Sequence, residues 1–358
     1  MTIPHAETQQ LQDCVDYQTR ILEDVSRTFA LTIPQLPDPL RTSVGNAYLL
    51  CRLADTIEDE PAIESDLKTR LGERLVAVIH GEEDSTAFAK ELGRHLSPSS
   101  TPAEHDLVAN TERVIRITHS LSPTRRHAIE RCVRIMTQGM MEFQRNASRK
   151  GLSDLPEMDR YCYVVAGVVG EMLTELFCDH CQDMQTHRDH LLSLAVSFGQ
   201  ALQMTNILKD TWEDMRRGAC WLPRDRFLKS GVDLASMEVG NSDQKMAAGI
   251  HELIGIAHFH VEKALEYVQL IPTSEVGIRR HCLWALGMAV LTLRRIDTTP
   301  DYTSGNEVKI SRRDVKSIIL AVNFTARSDF LTRTLFASLK RKLPLTRPSH
   351  NEVSVSTA

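Results

Sequence analysis

Eight stretches of apolar residues recurring at helical spacing constrain this chain more than any other feature. They cover residues 40–59, 107–120, 125–147, 159–182, 188–215, 245–270, 275–295 and 311–341, and glycine and proline are sparse inside them. Apolar side chains at i, i+3, i+4 and i+7 line one face of a helix. No run shows the sustained period-two alternation and β-branched enrichment that a strand needs. The fold class read from this pattern is all-α. Turn residues cluster between the runs, in LSPSSTPAEHD (96–106), GLSDLPEMD (151–159), KSGVDLASMEVGNSD (229–243) and DTTPDYTSGN (297–306). No repeat of fixed period is present, and no linker is long or polar enough to divide the chain. Residues 1–342 therefore read as one helical domain, and 343–358, LPLTRPSHNEVSVSTA, as a polar, disordered tail.

Composition removes several classes of function. The net charge is −5 and no basic stripe is interleaved with aromatics, so no nucleic-acid partner is expected. The start, MTIPHAETQQLQDC, lacks the basic lead and apolar core of a signal peptide. No stretch approaches eighteen uninterrupted apolar residues, so no membrane span is expected. A cytoplasmic monomer is the reading that follows. The eight cysteines, at 14, 51, 132, 162, 178, 181, 220 and 282, then read as reduced core thiols. Cys178 and Cys181 form a C-x-x-C around His180, but without a second pair the motif is weak support for zinc or redox chemistry.

The informative segments are YLLCRLADTIEDE (48–60) and QMTNILKDTWEDM (203–215). On a helix, Tyr48, Arg52, Asp55 and Asp59 fall at offsets 0, 4, 7 and 11, and Gln203, Asn206, Asp210 and Asp214 at 0, 3, 7 and 11. Each makes one polar stripe ending in two carboxylates a turn apart, with Glu58 and Glu213 just before the last aspartate. The rest of each segment is largely apolar. Carboxylates at i,i+4 repel by a few tenths of a kcal/mol when exposed. In a cleft the repulsion grows to roughly 4 kcal/mol at 4 Å under an effective dielectric near 20. A cation converts that repulsion into binding, and oxygen donors from Asp, Glu and Asn suit Mg²⁺ shared with substrate phosphates. The candidate ligands are Asp55, Glu58, Asp59, Asn206, Asp210 and Asp214. One acidic pair alone is usually a solvated helix face. Two pairs, each continuing a polar stripe through an apolar segment, are harder to account for as surface. A di-iron bundle needs Glu-x-x-His on two helices, and none of the fourteen histidines has Glu three residues before it.

The implied substrate is a diphosphate. Mg²⁺ acts on a diphosphate leaving group as a Lewis acid. If the leaving group is allylic, a carbocation remains that needs a dry cavity and π faces. With aromatic content of only 5%, each ring near a motif matters: Phe29, Tyr48, Tyr161, Tyr163 and Phe177 are candidates, although an aromatic at helical spacing is most often simply core.

On these residues the chain resembles the squalene and phytoene synthase family, from about residue 14 to 341. SRTF (26–29) is similar to the family's early Ser-Arg-x-Phe segment. The two acidic segments resemble its two acidic motifs, and YCYVVAGVVGEMLTELF (161–177) resembles its Tyr-Cys-x-x-Val-Ala-Gly-x-Val-Gly helix. The resemblance implies an isoprenoid-synthase bundle with a central apolar cavity. It implies substrate contacts from Ser26, Arg27, Phe29, Tyr48, Arg52, Gln203, Asn206 and Lys209, and Tyr161 as acid/base. Three features resemble the squalene branch: DTIEDE, MMEFQRN (140–146) and VKISRRDV (308–315). In that branch the last segment is tied to reduction, so Lys309, Arg312 and Arg313 are the implied contacts to NADPH. By residue chemistry alone this cluster reads as a solvated, positive helix start.

The chain also departs from the family. Ala219 follows Gly218 where Arg is usual, which puts the reductive step in doubt unless Arg216 or Arg217 substitutes. Lys209 stands where Arg is common and lacks the bidentate fork. CWLP (220–223) is more like the phytoene branch. The C-terminal membrane helix of eukaryotic members is missing, which implies a soluble form touching membranes peripherally at most. The reaction implied is Mg²⁺-dependent head-to-head joining of two farnesyl diphosphates to presqualene diphosphate, then NADPH-dependent reduction to squalene. The alternatives are a phytoene or dehydrosqualene synthase that stops without reduction, and a non-catalytic helical scaffold.

Overall fold

The computed structural model describes residues 5–26, 28–240 and 244–348. Arg27, a predicted substrate contact, lies outside the described residues. The chain forms two compact units, residues 1–145 with 172–186, and residues 146–171 with 187–358. Among the described residues there is no strand, only an isolated parallel bridge between Leu152 and Pro223.

The first unit contains α1 (His5–Val25), α2 (Asp38–Asp59), α3 (Ser65–His80), α4 (Ser85–His95), α5 (Pro102–Ala109), α6 (Thr111–Ser120) and α7 (Pro123–Arg145). The element at its centre is α2, whose Leu49, Leu50, Leu53, Ala54 and Ile57 are fully buried. A helix apolar on more than one stripe has to be covered on several sides, and α1, α3, α6 and α7 all pack on it. Its one buried amide is satisfied: Asn46 donates to the Val114 carbonyl at 2.8 Å and accepts the Thr118 hydroxyl at 2.8 Å. The helix ends at Glu60, which is 2% exposed and accepts the Ala62 and Ser97 amides and the Ser100 hydroxyl at 2.8–2.9 Å. Burial pushes this carboxyl up, but those donors outweigh it and hold its pKa down to about 2.

The second unit contains α8 (Leu155–Cys162), a single π-helical turn (Tyr163–Gly167) and the start of α9 (Val168–His180). It continues with α10 (Arg188–Arg216), α11 (Gln244–Gln269), α12 (Val276–Thr298), α13 (Arg312–Thr325) and α14 (Asp329–Leu339). Its longest helix, α10, packs along α11, α12 and the π turn. Three glycines permit the last of these contacts. A Cβ at Gly199 would lie 2.3 Å from the Ala166 carbonyl oxygen, and one at Gly170 would lie 2.3 Å from that of Ala195. Gly167 is fully in the turn between them. Residues 343–348, where the tail was expected to begin, run without secondary structure but dock on α11: Thr346 donates to the Gly255 carbonyl at 3.1 Å and His258 meets the Pro344 carbonyl at 2.7 Å. The rest of the tail lies outside the described residues.

The all-α expectation holds, with local differences. Of the helices named above, α1, α3 and α4 have no counterpart among the eight predicted runs. Among the described side chains of α1, only a narrow stripe of Cys14, Tyr17, Gln18, Ile21 and Leu22 is buried, in an otherwise polar sequence. The run 107–120 breaks at Asn110, 159–182 contains the π turn, and 311–341 divides at Ala326–Ser328. Part of the predicted 96–106 turn is helical, because Thr101 and Glu104 form a capping box with Pro102 in the first turn. All eight cysteines are buried and none is in a disulfide, Cys178 and Cys181 included. One expectation is modified: Leu155–His180 and Arg188–Arg216 are long and apolar enough to cross a membrane, with mean hydropathy of 1.4 and 1.3. A search for uninterrupted apolar runs passes over them because polar residues punctuate both. About half of each window is buried within the protein, at 44% and 56%, as in core helices.

Candidate active site

In the first unit, the predicted residues Ser26, Phe29, Tyr48, Arg52, Asp55, Glu58 and Asp59 are brought together by α2 and the turn preceding it. Ser26 is buried and its hydroxyl accepts the Phe29 amide at 3.0 Å. The Phe29 and Tyr48 rings lie 5.3 Å apart, tilted at 45°. The Tyr48 hydroxyl donates to the Val25 carbonyl at 3.2 Å, and burial raises its pKa. One turn on, Arg52 sits 3.6 Å from Asp55 and makes a close ion pair with Glu104, whose side chain is 12% exposed. Glu104 also accepts from the Thr101 amide and hydroxyl, so it fixes the guanidinium from behind.

Asp55 and Glu58 are held in a state that favours a cation. Burial raises the Asp55 carboxyl most; Arg52 opposes this, Asp59 adds to it, and the result is about 7. Burial and then repulsion from Asp59 bring Glu58 to about 7 as well, against a hydrogen bond from the Gln144 side-chain amide. The Lys68 ammonium caps the Glu58 carbonyl instead of its carboxylate. Asp59 is the exposed member at the helix end. Hard, crowded, partly desolvated oxygens of this kind fit Mg²⁺. Among the described residues, no three His, Cys, Asp or Glu side chains gather as a ready-made metal cage.

In the second unit, α10 carries Gln203, Asn206, Lys209, Asp210 and Asp214. Asn206 is exposed and the others are half-buried. Lys209 reaches Asp210 at 3.0 Å and Asn206 at 3.4 Å, folding back on the carboxylate beside it. Glu213, which occupies the place corresponding to Glu58, is engaged differently. Its carboxylate accepts the Ser304 hydroxyl at 3.1 Å and the Gly305 amide at 3.1 and 3.2 Å. A Cβ at Gly305 would approach the Lys209 carbonyl at 2.8 Å, so the 299–306 loop lies directly against the motif. Tyr302 staples it there: this buried side chain donates to the Leu208 carbonyl, while Trp212 donates to the Tyr302 carbonyl at 2.7 Å.

Tyr161, the predicted acid/base, is 9% exposed and stacks on Trp221, centroids 4.3 Å apart and planes at 10°. The neighbouring Tyr163 donates to Glu171 at 3.3 Å, and Phe177 is plain core at 1% exposed. Lys309, Arg312 and Arg313 are exposed at the start of α13, where Ser311 and Asp314 form a capping box. Arg312 and Arg313 line a shallow depression of about 410 Å³ with Lys316, Ser317 and Leu320. Of the two candidates to replace the Arg missing at Ala219, Arg216 is tied to Glu213 at 3.3 Å and to the Thr303 carbonyl at 3.0 Å. Arg217, like Arg216, is exposed. Sequence reasoning missed Glu104, Gln144, Tyr302, Gly305 and Trp221. Trp221, an aromatic immediately after the second motif, and Gln144, inside MMEFQRN (140–146), left signals it could have used.

Comparison with known proteins bears on the family and the fold. The squalene/phytoene synthase family profile matches residues 22–314. A squalene synthase of Botryococcus braunii is 27% identical over 318 residues, 87% of this chain and 64% of that protein. One of Candida albicans is 29% identical over 307 residues, covering 84% and 65%. The chain thus spans just under two thirds of the length of these relatives. Among solved structures, a ligand complex of TcSQS superposes with a TM-score of 0.74 at 22% identity, covering 96% of this chain and 95% of that one. A dehydrosqualene synthase in complex with ligand gives 0.67 at 22%, covering 89% and 98%. At such identities the structures speak to the fold alone, and the fold they share is the all-α isoprenoid synthase bundle. The profile match covers most of the sequence and carries the assignment: the chain belongs to the squalene/phytoene synthase family.

Proposed function

We propose that this protein is a Mg²⁺-dependent prenyl transferase that joins two farnesyl diphosphates head to head and, with NADPH, reduces the product to squalene. The observation that carries the reading is the end of α2, where Asp55 and Glu58 are both raised to about 7 by burial and by neighbouring carboxylates. A structure keeps such groups together when a cation and its anionic substrate relieve them. Asp55, Glu58 and Asp59 on one helix, and Asn206, Asp210 and Asp214 on the other, would each hold Mg²⁺. When bound, the metal neutralises charge on the departing diphosphate.

The protein's own groups do the rest. Ser26, Arg27, Phe29, Tyr48 and Arg52 bind and orient the first substrate, with Arg52 pre-set by Glu104. Gln203, Asn206 and Lys209 do the same from α10. Loss of diphosphate leaves an allylic cation, which alkylates the double bond of the second substrate. Tyr161, its ring fixed by Trp221, relays the proton lost as the cyclopropane closes. Loss of the remaining diphosphate from the cyclopropyl product leaves a second cation, which rearranges; Lys309, Arg312 and Arg313 would hold the phosphates of NADPH, which would supply the hydride that reduces it. Residues 1–342 act as one catalytic domain, in a cytoplasmic monomer whose water-insoluble product brings it to membranes peripherally.

Ala219 favours a second reading, in which synthesis stops at an unreduced product such as dehydrosqualene or phytoene. Mass spectrometry of products from farnesyl diphosphate and Mg²⁺, with and without NADPH, separates the two. Squalene formed only with NADPH is the expected result. Identical products under both conditions would reject the reductive assignment.

A further inference from the structure

The helical hairpin of α13 and α14 carries exposed apolar side chains that the proposed reaction does not use. Among the described residues seven large hydrophobic side chains are exposed, and four of them are here: Leu320 at 60%, Phe324 at 76%, Phe330 at 75% and Leu331 at 44%. Residues 312, 316, 320 and 324 recur at i+4 and form one stripe of α13, opposite the buried Ile318, Val322 and Ala326. Along that stripe Arg312 and Lys316 give way to Leu320 and Phe324. The tight link at Ala326–Ser328, closed by the Thr332 hydroxyl on the Thr325 carbonyl at 3.0 Å, brings Phe330 and Leu331 to the same corner as Phe324. That corner is firmly held. Arg279, wholly buried, donates to the Val268 and Ile271 carbonyls at 3.2 and 2.8 Å and to Asp329 at 2.6 Å, pinning the first residue of α14.

Charge identifies the partner. Beyond the cations assigned to NADPH, residues 316–347 hold seven Lys and Arg against one Asp and no Glu, a net of +6 in a chain whose total is −5. Exposed aromatic and aliphatic side chains set among basic ones match the interface of an anionic bilayer, apolar groups entering the acyl boundary and cations meeting the headgroups. We infer that the α13–α14 hairpin is the surface by which this protein docks on anionic lipid membranes. The inference goes beyond the proposed reaction, since it rests on the exposed Phe and Leu residues and their charged surround rather than on the acidic motifs.

Flotation of the full chain with phosphatidylcholine vesicles, with and without phosphatidylglycerol, tests it. The wild type should float with the anionic vesicles, and less so at high salt, which screens the basic residues. Phe324→Ser with Phe330→Ser should weaken partitioning roughly 100-fold, about tenfold for each ring withdrawn from the bilayer. Both positions are three-quarters exposed, so the variant should melt with the wild type. Phe330→Trp gives an independent readout. The three native tryptophans are buried at 0%, 8% and 5% exposure, so an emission blue shift on adding anionic vesicles would report the new residue entering lipid. The proposal is overturned if the wild type stays with the aqueous fraction, or if the double serine variant floats equally well. It is also overturned if the face proves to join two copies, seen as a wild-type dimer that the double variant dissociates and that ignores vesicles. Turnover of farnesyl diphosphate in detergent is a separate measurement, so failure of docking and failure of the catalytic reading are distinguishable.

Discussion

Glu213 accepts the Gly305 amide through both carboxylate oxygens, at 3.1 and 3.2 Å. The residue that matches it in the first motif, Glu58, is instead crowded by carboxylates and held by a single side-chain amide. Similar sequence positions thus have different work: one secures a loop and the other is available to a cation. Glu213→Ala should therefore act on stability, costing about 1–2 kcal/mol through the lost hydrogen bonds to a charged acceptor. Glu58→Gln should leave the melting temperature nearly unchanged and reduce turnover. Thermal denaturation beside steady-state kinetics of both variants checks the contrast.

Removing one of the proposed metal-binding charges should not weaken the empty protein. At pH 8 the folded state carries an ionised Asp55 that burial disfavours, and Asp55→Asn removes that cost. The Arg52 pair lost is only 3.6 Å long, and Arg52 keeps Glu104. Asp55 retains about a third of its side-chain exposure, at 32%, so solvent screening keeps the gain small, ~0.5 kcal/mol. In EDTA the variant should melt at or slightly above the wild type, and a clear drop would show that Asp55 is structural.

The acid limb of stability should depend on His260. It is 3% exposed, and burial lowers its pKa from 6.5 to about 4. The unfolded chain therefore binds a proton that the folded chain refuses. Its contribution is intact above pH 6.5 and is lost as pH falls from 6.5 towards 4, up to about 3 kcal/mol. Denaturant titrations at pH 7 and pH 4.5 should show a smaller difference for His260→Phe than for the wild type. Equal differences would remove His260 from the account.

Gly199→Ala tests the contact between α10 and the π turn. Alanine gains about 1 kcal/mol of helix propensity. Its Cβ, however, would sit 2.3 Å from the Ala166 carbonyl, a backbone atom that cannot rotate away. Overpacking of this kind typically costs 1–3 kcal/mol. A net loss of up to about 2 kcal/mol with impaired turnover is expected, and a stabilised variant would show the contact to be loose.

Much of this architecture is legible in the sequence because its longest helices are amphipathic or apolar enough to show a period. The stripes of α2 and α10 follow directly from spacing; along them Asp55 is half-buried, while Asp59 and Asn206 are exposed. What spacing does not reveal are the partners. Gln144 lies 86 residues from Glu58, and Ser304 lies 91 residues from Glu213. Only the fold brings them together. The helix α1 hides because five buried side chains serve a mostly polar 21-residue segment. The capping box at Thr101 sits inside a Ser- and Pro-rich stretch whose composition reads as turn. The π turn at Tyr163–Gly167 leaves no periodic trace, since it adds one residue to a helix that otherwise continues.

Calorimetric titration with a non-ionisable farnesyl thiodiphosphate, with and without Mg²⁺, tests the role of the acidic stripes most directly. Wild-type protein should bind it only with the metal present, and Asp55→Asn and Asp210→Asn should each weaken that binding at least tenfold while melting as the wild type does. Metal-independent binding, or full affinity in both variants, would contradict the account.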